Sequence, residues 1–195
     1  MRAKEVIEKF RQTGALLEGH FILSSGLHST SYLQCALVLQ YPAAAQEFGR
    51  AIAENFRGDR IQLVASPAIG GIVVGHEVAR VLGARFVWTE REHGEMTLRR
   101  GFSVSPGERT LVVEDVVTTG GSTHETVETL RTFGADVLAA ASIIDRSSGQ
   151  ADVGVRRIAL ATLDVPGVEP ALCDACKRGE PAIKPGSRKI TVSRK

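Results

Sequence analysis

The sequence predicts an α/β fold, a Rossmann-like and mostly parallel five-stranded sheet flanked by helices. Three observations carry this. Apolar, β-branched runs near 61–65, 84–88, 110–114, 137–144 and 157–163 read as core strands separated by helical segments. Two of these runs lead directly into small-residue turns that open a helix. At 195 residues, one α/β domain with a small attachment is the natural size. Composition agrees, with 43% hydrophobic and 24% charged residues, as in ordinary globular proteins. The net charge of +2 argues against a dominant nucleic-acid role. No apolar run reaches membrane-spanning length, and the charged N-terminus is unlike a signal peptide. Three cysteines do not suit a disulfide framework, so a reducing cytoplasm is expected.

Residues 2–13 read as an amphipathic helix with Val6, Ile7 and Phe10 on one face, ended by Gly14. Gly19 to Gln34 alternates apolar and polar residues around Ser24-Ser25-Gly26, which predicts a hairpin. Pro42 to Phe56 reads as a helix with proline in its first turn. Ile61 to Ala65 is a strand that runs through Ser66-Pro67-Ala68-Ile69-Gly70-Gly71 into a helix over Ile72 to Leu82. That turn is either a backbone anion site or a tight turn needing glycine for positive φ. Arg85 to Trp88 is the next strand. The charged stretch from Thr89 to Gly101 then reads as a solvated loop or exposed hairpin.

The most informative stretch is Leu111 to Thr123. A buried strand places Glu114 and Asp115 at its C-terminal end, and Thr118 to Thr123 contains only Thr, Gly and Ser. A helix is expected from His124 to Phe133. Ligands of open α/β sheets bind beyond the strands' carboxyl ends. A small-residue loop before a helix gathers N–H groups and hydroxyls where the helix dipole favours an anion. No lysine follows Gly121, as a P-loop would need, and no G-x-G-x-x-G is present. An ordinary strand–turn–helix capped by Ser122 is the plain alternative. Further on, Val137 to Ile144 is a strand ending in Asp145-Arg146, read as part of the active edge or as a surface ion pair. Arg157 to Leu163 is the last strand. Cys173 and Cys176 form a lone C-x-x-C, and a zinc centre needs more ligands, yet no histidine follows His124. Reduced, structural cysteines are expected. The basic tail from Lys177, which includes Lys184, is expected to be a solvated end.

Leu111 to Thr123 resembles the diphosphoribose-binding signature of type I phosphoribosyltransferases. Phe21, Leu23, Ser25, Gly26, Ser29 and Tyr32 resemble the substrate hood of the orotate phosphoribosyltransferases within that family. The resemblance spans roughly residues 15 to 190. It implies a single domain over 1–195, with a core of about 41–164 and a hood from about 15–40 and 165–195. It implies transfer of phosphoribosyl from 5-phosphoribosyl 1-diphosphate (PRPP) to orotate in pyrimidine nucleotide synthesis. PRPP would meet Glu114, Asp115, Val116, Val117, Thr118, Thr119, Gly120, Gly121 and Ser122, with Ala68, Ile69, Gly70 and Gly71 as the diphosphate loop. Arg91 and His93 would reach the diphosphate from a flexible loop and, with Asp115, are the implied catalytic residues. Thr118, Arg146, Ser24 and Tyr32 would orient orotate. Mg²⁺ is the implied cofactor, held mainly by diphosphate and water and not directly by the protein. The implied assembly is a homodimer with shared active sites, with neither nucleic acid nor membrane as a partner. Some relatives carry lysine at the positions of Ser24 and Gly70, and many have a longer loop with a catalytic lysine. This chain has no lysine between Lys9 and Lys177. The rival readings are a purine phosphoribosyltransferase and a non-enzymatic sensor of the activated sugar.

Overall fold

The computed structural model describes residues 1–23 and 25–185. Helix α1 (Ala3–Gln12) packs Val6 and Phe10 inward and is followed by the antiparallel strands β1 (Leu16–Ile22) and β2 (His28–Leu33). Two helices follow, the short α2 (Cys35–Leu39) and α3 (Pro42–Ala53). The core then runs β3 (Leu63–Pro67), α4 (Gly71–Leu82), β4 (Arg85–Glu92), β5 (Glu95–Leu98), β6 (Arg109–Val117), α5 (Gly121–Thr132), β7 (Asp136–Asp145) and β8 (Arg157–Thr162). A one-turn helix, α6 (Asp174–Lys177), lies in the C-terminal segment.

The central sheet has the order β5-β4-β3-β6-β7-β8. Five strands are parallel, and β5 pairs antiparallel with β4. The sheet therefore has six strands rather than the five expected. The extra one arises because the charged stretch after Trp88 folds back as a hairpin. His93 (φ 52°) and Gly94 (φ 92°) form its turn, the left-handed pair that matches strand twist in a two-residue hairpin loop.

Strand alternation sorts the core into two layers. Val64, Leu111, Val113, Ala139, Ala141 and Ile143 pack with Phe10, Phe48, Val74 and Val78 of α1, α3 and α4. Leu63, Ala65, Val112 and Ala140 pack with Val127 and Leu130 of α5 on the other face. Fully burying one such side chain contributes about 1.5–3 kcal/mol. Helices α3 and α4 touch backbone to backbone, since a Cβ on Gly49 would lie 2.5 Å from Glu77 Cβ.

The strand order has a functional consequence. The chain leaves β3 toward β4 on one side and later returns to β6 on the other. Loops after β3 and β6 therefore diverge, and their helices go to opposite faces. This is the topological switch point at which open α/β sheets bind ligands.

Beside the sheet, β1 and β2 form their own small sheet. The C-terminal segment straps both of its edges. Ile22 N–H donates to Ile183 O and Ile183 N–H to His20 O, each at 2.8 Å. His28 and Val168 exchange two backbone hydrogen bonds of 2.8 Å.

Candidate active site

Strand β6 does not end at its acids, as the sequence reading had it. Val116 and Val117 continue it, paired with Ile144 and Asp145 of β7. Glu114 and Asp115 thus lie inside the strand and project from a rigid ladder. Helix α5 also begins three residues before the expected His124. Gly121, Ser122 and Thr123 form its first turn, so their N–H groups lack intrahelical acceptors and are available to an anion. Gly120 precedes them at φ 84°, and a Cβ there would lie 3.0 Å from Val153. Only glycine fits that corner without strain. Ser122 does not cap the helix with its side chain.

Gly70, Glu114, Asp115 and the loop from Val116 to Thr123 enclose a cavity of about 250 Å³. The loop after β3 joins it through Gly70. A Cβ there would stand 2.7 Å from both carboxylate oxygens of Asp115, so the backbone of this loop rests on that acid. A lysine in this position would collide with it. The peptide bond between Ala68 and Ile69 is cis, and Ala68, Ile69 and Gly70 are exposed, with Gly71 buried behind them.

The two acids differ. Asp115 is half-exposed and accepts the N–H of Val116 at 2.9 Å. Glu114 is buried. Burial, and then the neighbouring Asp115 carboxylate, push the Glu114 carboxyl well above the usual carboxylate range. Burial and the same aspartate likewise push the Cys35 thiol well up, which keeps it neutral.

A second cavity of about 440 Å³ adjoins the first and shares Val116, Thr118 and Thr119 with it. Its walls include Leu23, Ser25, Tyr32 and Leu33 of the hairpin and Arg146 beyond β7. Arg146 does not pair with Asp145. That carboxylate is bound by Arg157 at 3.0 Å, with both side chains largely buried. Burial alone would raise the Asp145 pKa, but hydrogen bonds from Ser147, Arg157 and Gly149 outweigh it and hold the carboxyl below its ordinary value. Arg146 is left with its Nε buried and without a hydrogen-bond partner among the described residues. Burial, opposed by Tyr32, lowers the Arg146 pKa, although a guanidinium stays charged at physiological pH. Burial raises the Tyr32 pKa, again opposed by Arg146.

Thr118, Tyr32 and Arg146 are therefore brought together, while Ser24 lies outside the described residues. Arg91 and His93 do not line either cavity. Arg91 instead pairs with Glu125 of α5 at 2.5 Å and donates to Gly94 O at 2.7 Å. Sequence reasoning missed Lys184, which stands exposed at the rim of the second cavity rather than in a solvated tail. No local pattern marks it, because only the backbone pairing of Ile183 with the hairpin brings it there.

Comparison with known proteins points the same way. The phosphoribosyl transferase domain model matches residues 37–159. The orotate phosphoribosyltransferase of Pelotomaculum thermopropionicum is 54% identical over 190 residues, covering 97% of this chain and all of that protein. The one from Desulforamulus reducens is 50% identical over 191 residues, covering 98% of this chain and all of that protein. Among solved structures, the orotate phosphoribosyltransferase of Aeropyrum pernix superposes with a TM-score of 0.68 at 28% identity, covering 81% of this chain and 93% of that one. Two loops at a switch point, a hydroxyl-rich cradle beside paired acids, and relatives matched along their whole length lead to one conclusion: the chain belongs to the orotate phosphoribosyltransferase family.

Proposed function

We propose that this chain transfers the phosphoribosyl group of PRPP to orotate, releasing diphosphate and forming orotidine 5′-phosphate for pyrimidine nucleotide synthesis. The observation that carries the choice of base is Arg146. A half-buried guanidinium whose Nε has no partner among the described residues lines a cavity beside the cradle, and a planar carboxylate offers it two charge-assisted hydrogen bonds. A neutral purine offers no such group.

In this reading the 5′-phosphate sits on the first turn of α5, where Gly121 to Thr123 present their N–H groups. Asp115 accepts hydrogen bonds from the ribose hydroxyls. Glu114, buried beside it, lines the same cavity. The Ala68–Gly71 backbone meets the diphosphate. Tyr32 and Thr118 line the base cavity with Arg146, and Lys184 adds a second positive charge at its rim. Orotate nitrogen bonds to the sugar's anomeric carbon as the bond to diphosphate breaks, and much of the acceleration comes from holding the two in line. Two carboxylates beside a phosphate site suit Mg²⁺, which keeps several waters and takes one or two acids plus substrate phosphates. Held mainly by diphosphate and water, with the acids within reach of those waters, it would neutralise charge on the leaving diphosphate. Arg91 and His93 serve the diphosphate only if the β4–β5 hairpin releases Glu125. The family's shared-site homodimer would place them over a neighbouring subunit. A cytoplasmic location fits, and no helix among the described residues is long and apolar enough to cross a membrane.

The deciding experiment follows orotate absorbance with PRPP and Mg²⁺, alongside adenine, hypoxanthine and xanthine. Consumption of orotate alone is expected. Turnover of a purine, or of no base, would reject the reading.

A further inference from the structure

Further ligands for Cys173 and Cys176 lie on their N-terminal side, far back in the chain. Their partners come from the hairpin. His20, His28, Cys173 and Cys176 each offer one ligand atom, and these atoms all lie within 4.8 Å of one another. Cys173 Sγ is 3.4 Å from His20 Nε2, and Cys176 Sγ is 3.6 Å from the same atom and 3.2 Å from His28 Nδ1. The two ring nitrogens are 2.8 Å apart. A tetrahedral centre with metal–nitrogen and metal–sulfur distances of about 2.0–2.3 Å spaces its ligands roughly 3.3–3.8 Å apart. A small outward adjustment of the imidazoles reaches that spacing. We propose that these four residues bind a structural zinc ion.

Four features support zinc. Two cysteines separated by two residues, together with two histidines, are a recurring closed, four-coordinate zinc set. Thiolate and imidazole together select it over magnesium or calcium. His20 and His28 are each 8% exposed and Cys173 is 5% exposed, so the ion would be shielded from solvent. The tautomer is also set. His20 Nδ1 lies 2.9 Å from the carbonyl of Glu180, and a carbonyl can only accept, so Nδ1 carries the proton and Nε2 faces the cluster with its lone pair. Zinc-ligating histidines are held in this way. A plain His28 Nδ1–H to His20 Nε2 hydrogen bond would account for the rings, but not for two thiols converging on the same point.

Zinc would fasten three segments, β1, β2 and the turn of α6, midway between the strap's contacts at Val168 and Ile183. That strap carries Lys184 to the base cavity, and β2 carries Tyr32. The ion is remote from the reacting atoms and has no open position, so its role is to hold the hood. Binding deprotonates both thiols and releases two protons.

The test uses the full, untagged chain, purified under reducing conditions. Elemental analysis is expected to find about one zinc per chain. Reconstitution with Co²⁺ after chelation should give the intense visible bands of a tetrahedral cobalt site together with thiolate-to-cobalt charge transfer. Chelation should lower the unfolding temperature, and zinc should restore it. A Cys173→Ser/Cys176→Ser chain should lose the metal and the charge-transfer band. Reduced protein that retains no zinc after desalting, or a double variant that retains as much as the parent, would overturn the proposal. The cobalt spectrum of the unsubstituted chain decides the matter if the variant fails to fold, and an octahedral spectrum or none at all is a negative.

Discussion

The phosphate cradle and the histidine–cysteine cluster are both compact polar sites, but they are built in opposite ways. Residues 114–123 supply nearly the whole cradle, with Gly70 closing it. The cluster joins His20 to Cys173, 153 positions apart. The cradle depends on backbone shape, with a glycine corner, an unpaired first helical turn and acids fixed on a strand ladder. The cluster depends on side chains delivered by both ends of the fold. The base cavity lies between these extremes, with Thr118 from the cradle, Tyr32 from the hairpin and Lys184 from the strap. Damage to the strap should therefore be felt in base binding and spare the phosphate, whereas damage to the β3 loop should do the reverse.

The largest expected effect tests the strand end that backs the cradle, where Asp145 pairs with Val117. Arg157→Ala leaves Asp145 buried without its cation at the end of β7. Breaking such a pair costs about 3–5 kcal/mol, measurable by denaturant unfolding. A loss under about 1 kcal/mol, the scale of an exposed pair, would mean that Ser147 and Gly149 suffice. Next is Arg146→Ala, which should weaken orotate binding by about 2–5 kcal/mol and raise its KM with little change in that of PRPP. Equal changes in both would erase the distinction between base cavity and cradle. Gly70→Ala should be milder, about 1–3 kcal/mol of overpacking against Asp115, raising the KM of PRPP and leaving that of orotate alone. An orotate-specific defect would put the β3 loop in the wrong site.

The smallest effect is a pH dependence at Glu114. Its folded-state pKa is raised above the ordinary 4.5. The associated stability is therefore fully present below pH 4.5 and is lost as pH rises toward the raised value. Glu114→Gln carries no such proton. Unfolding curves across pH should show the variant gaining on the parent as pH climbs above 4.5. Parallel profiles would mean that Glu114 titrates as a solvated acid.

The sheet's parallel strands, the hairpin at 19–34 and the cradle itself were legible because each is written in adjacent residues. Hydrophobic runs mark β3, β6 and β7, and the run of Thr, Gly and Ser admits few conformations other than a loop opening a helix. The β4–β5 hairpin was less so, since its charged exterior hides the turn at His93-Gly94. Local pattern was least useful where pairing decides. Strand β6 continues past Asp115 because β7 offers partners as far as Asp145. Arg146 does not pair with Asp145, because Arg157, eleven residues on, takes the aspartate that chain proximity would assign to it.

The sequence by itself determined the fold class and the loop that opens α5, because short-range sterics and hydrogen bonding dictate how a strand–glycine–helix unit must fold, and its motifs carry the resemblance to the family. Tertiary structure alone decided which arginine takes Asp145, that Lys184 reaches the cavity lined by Arg146, and that two histidines near the N-terminus meet two cysteines near the C-terminus. Those outcomes depend on long-range pairing of the hairpin with Val168 and Ile183. No local propensity encodes which distant segments will share one buried point.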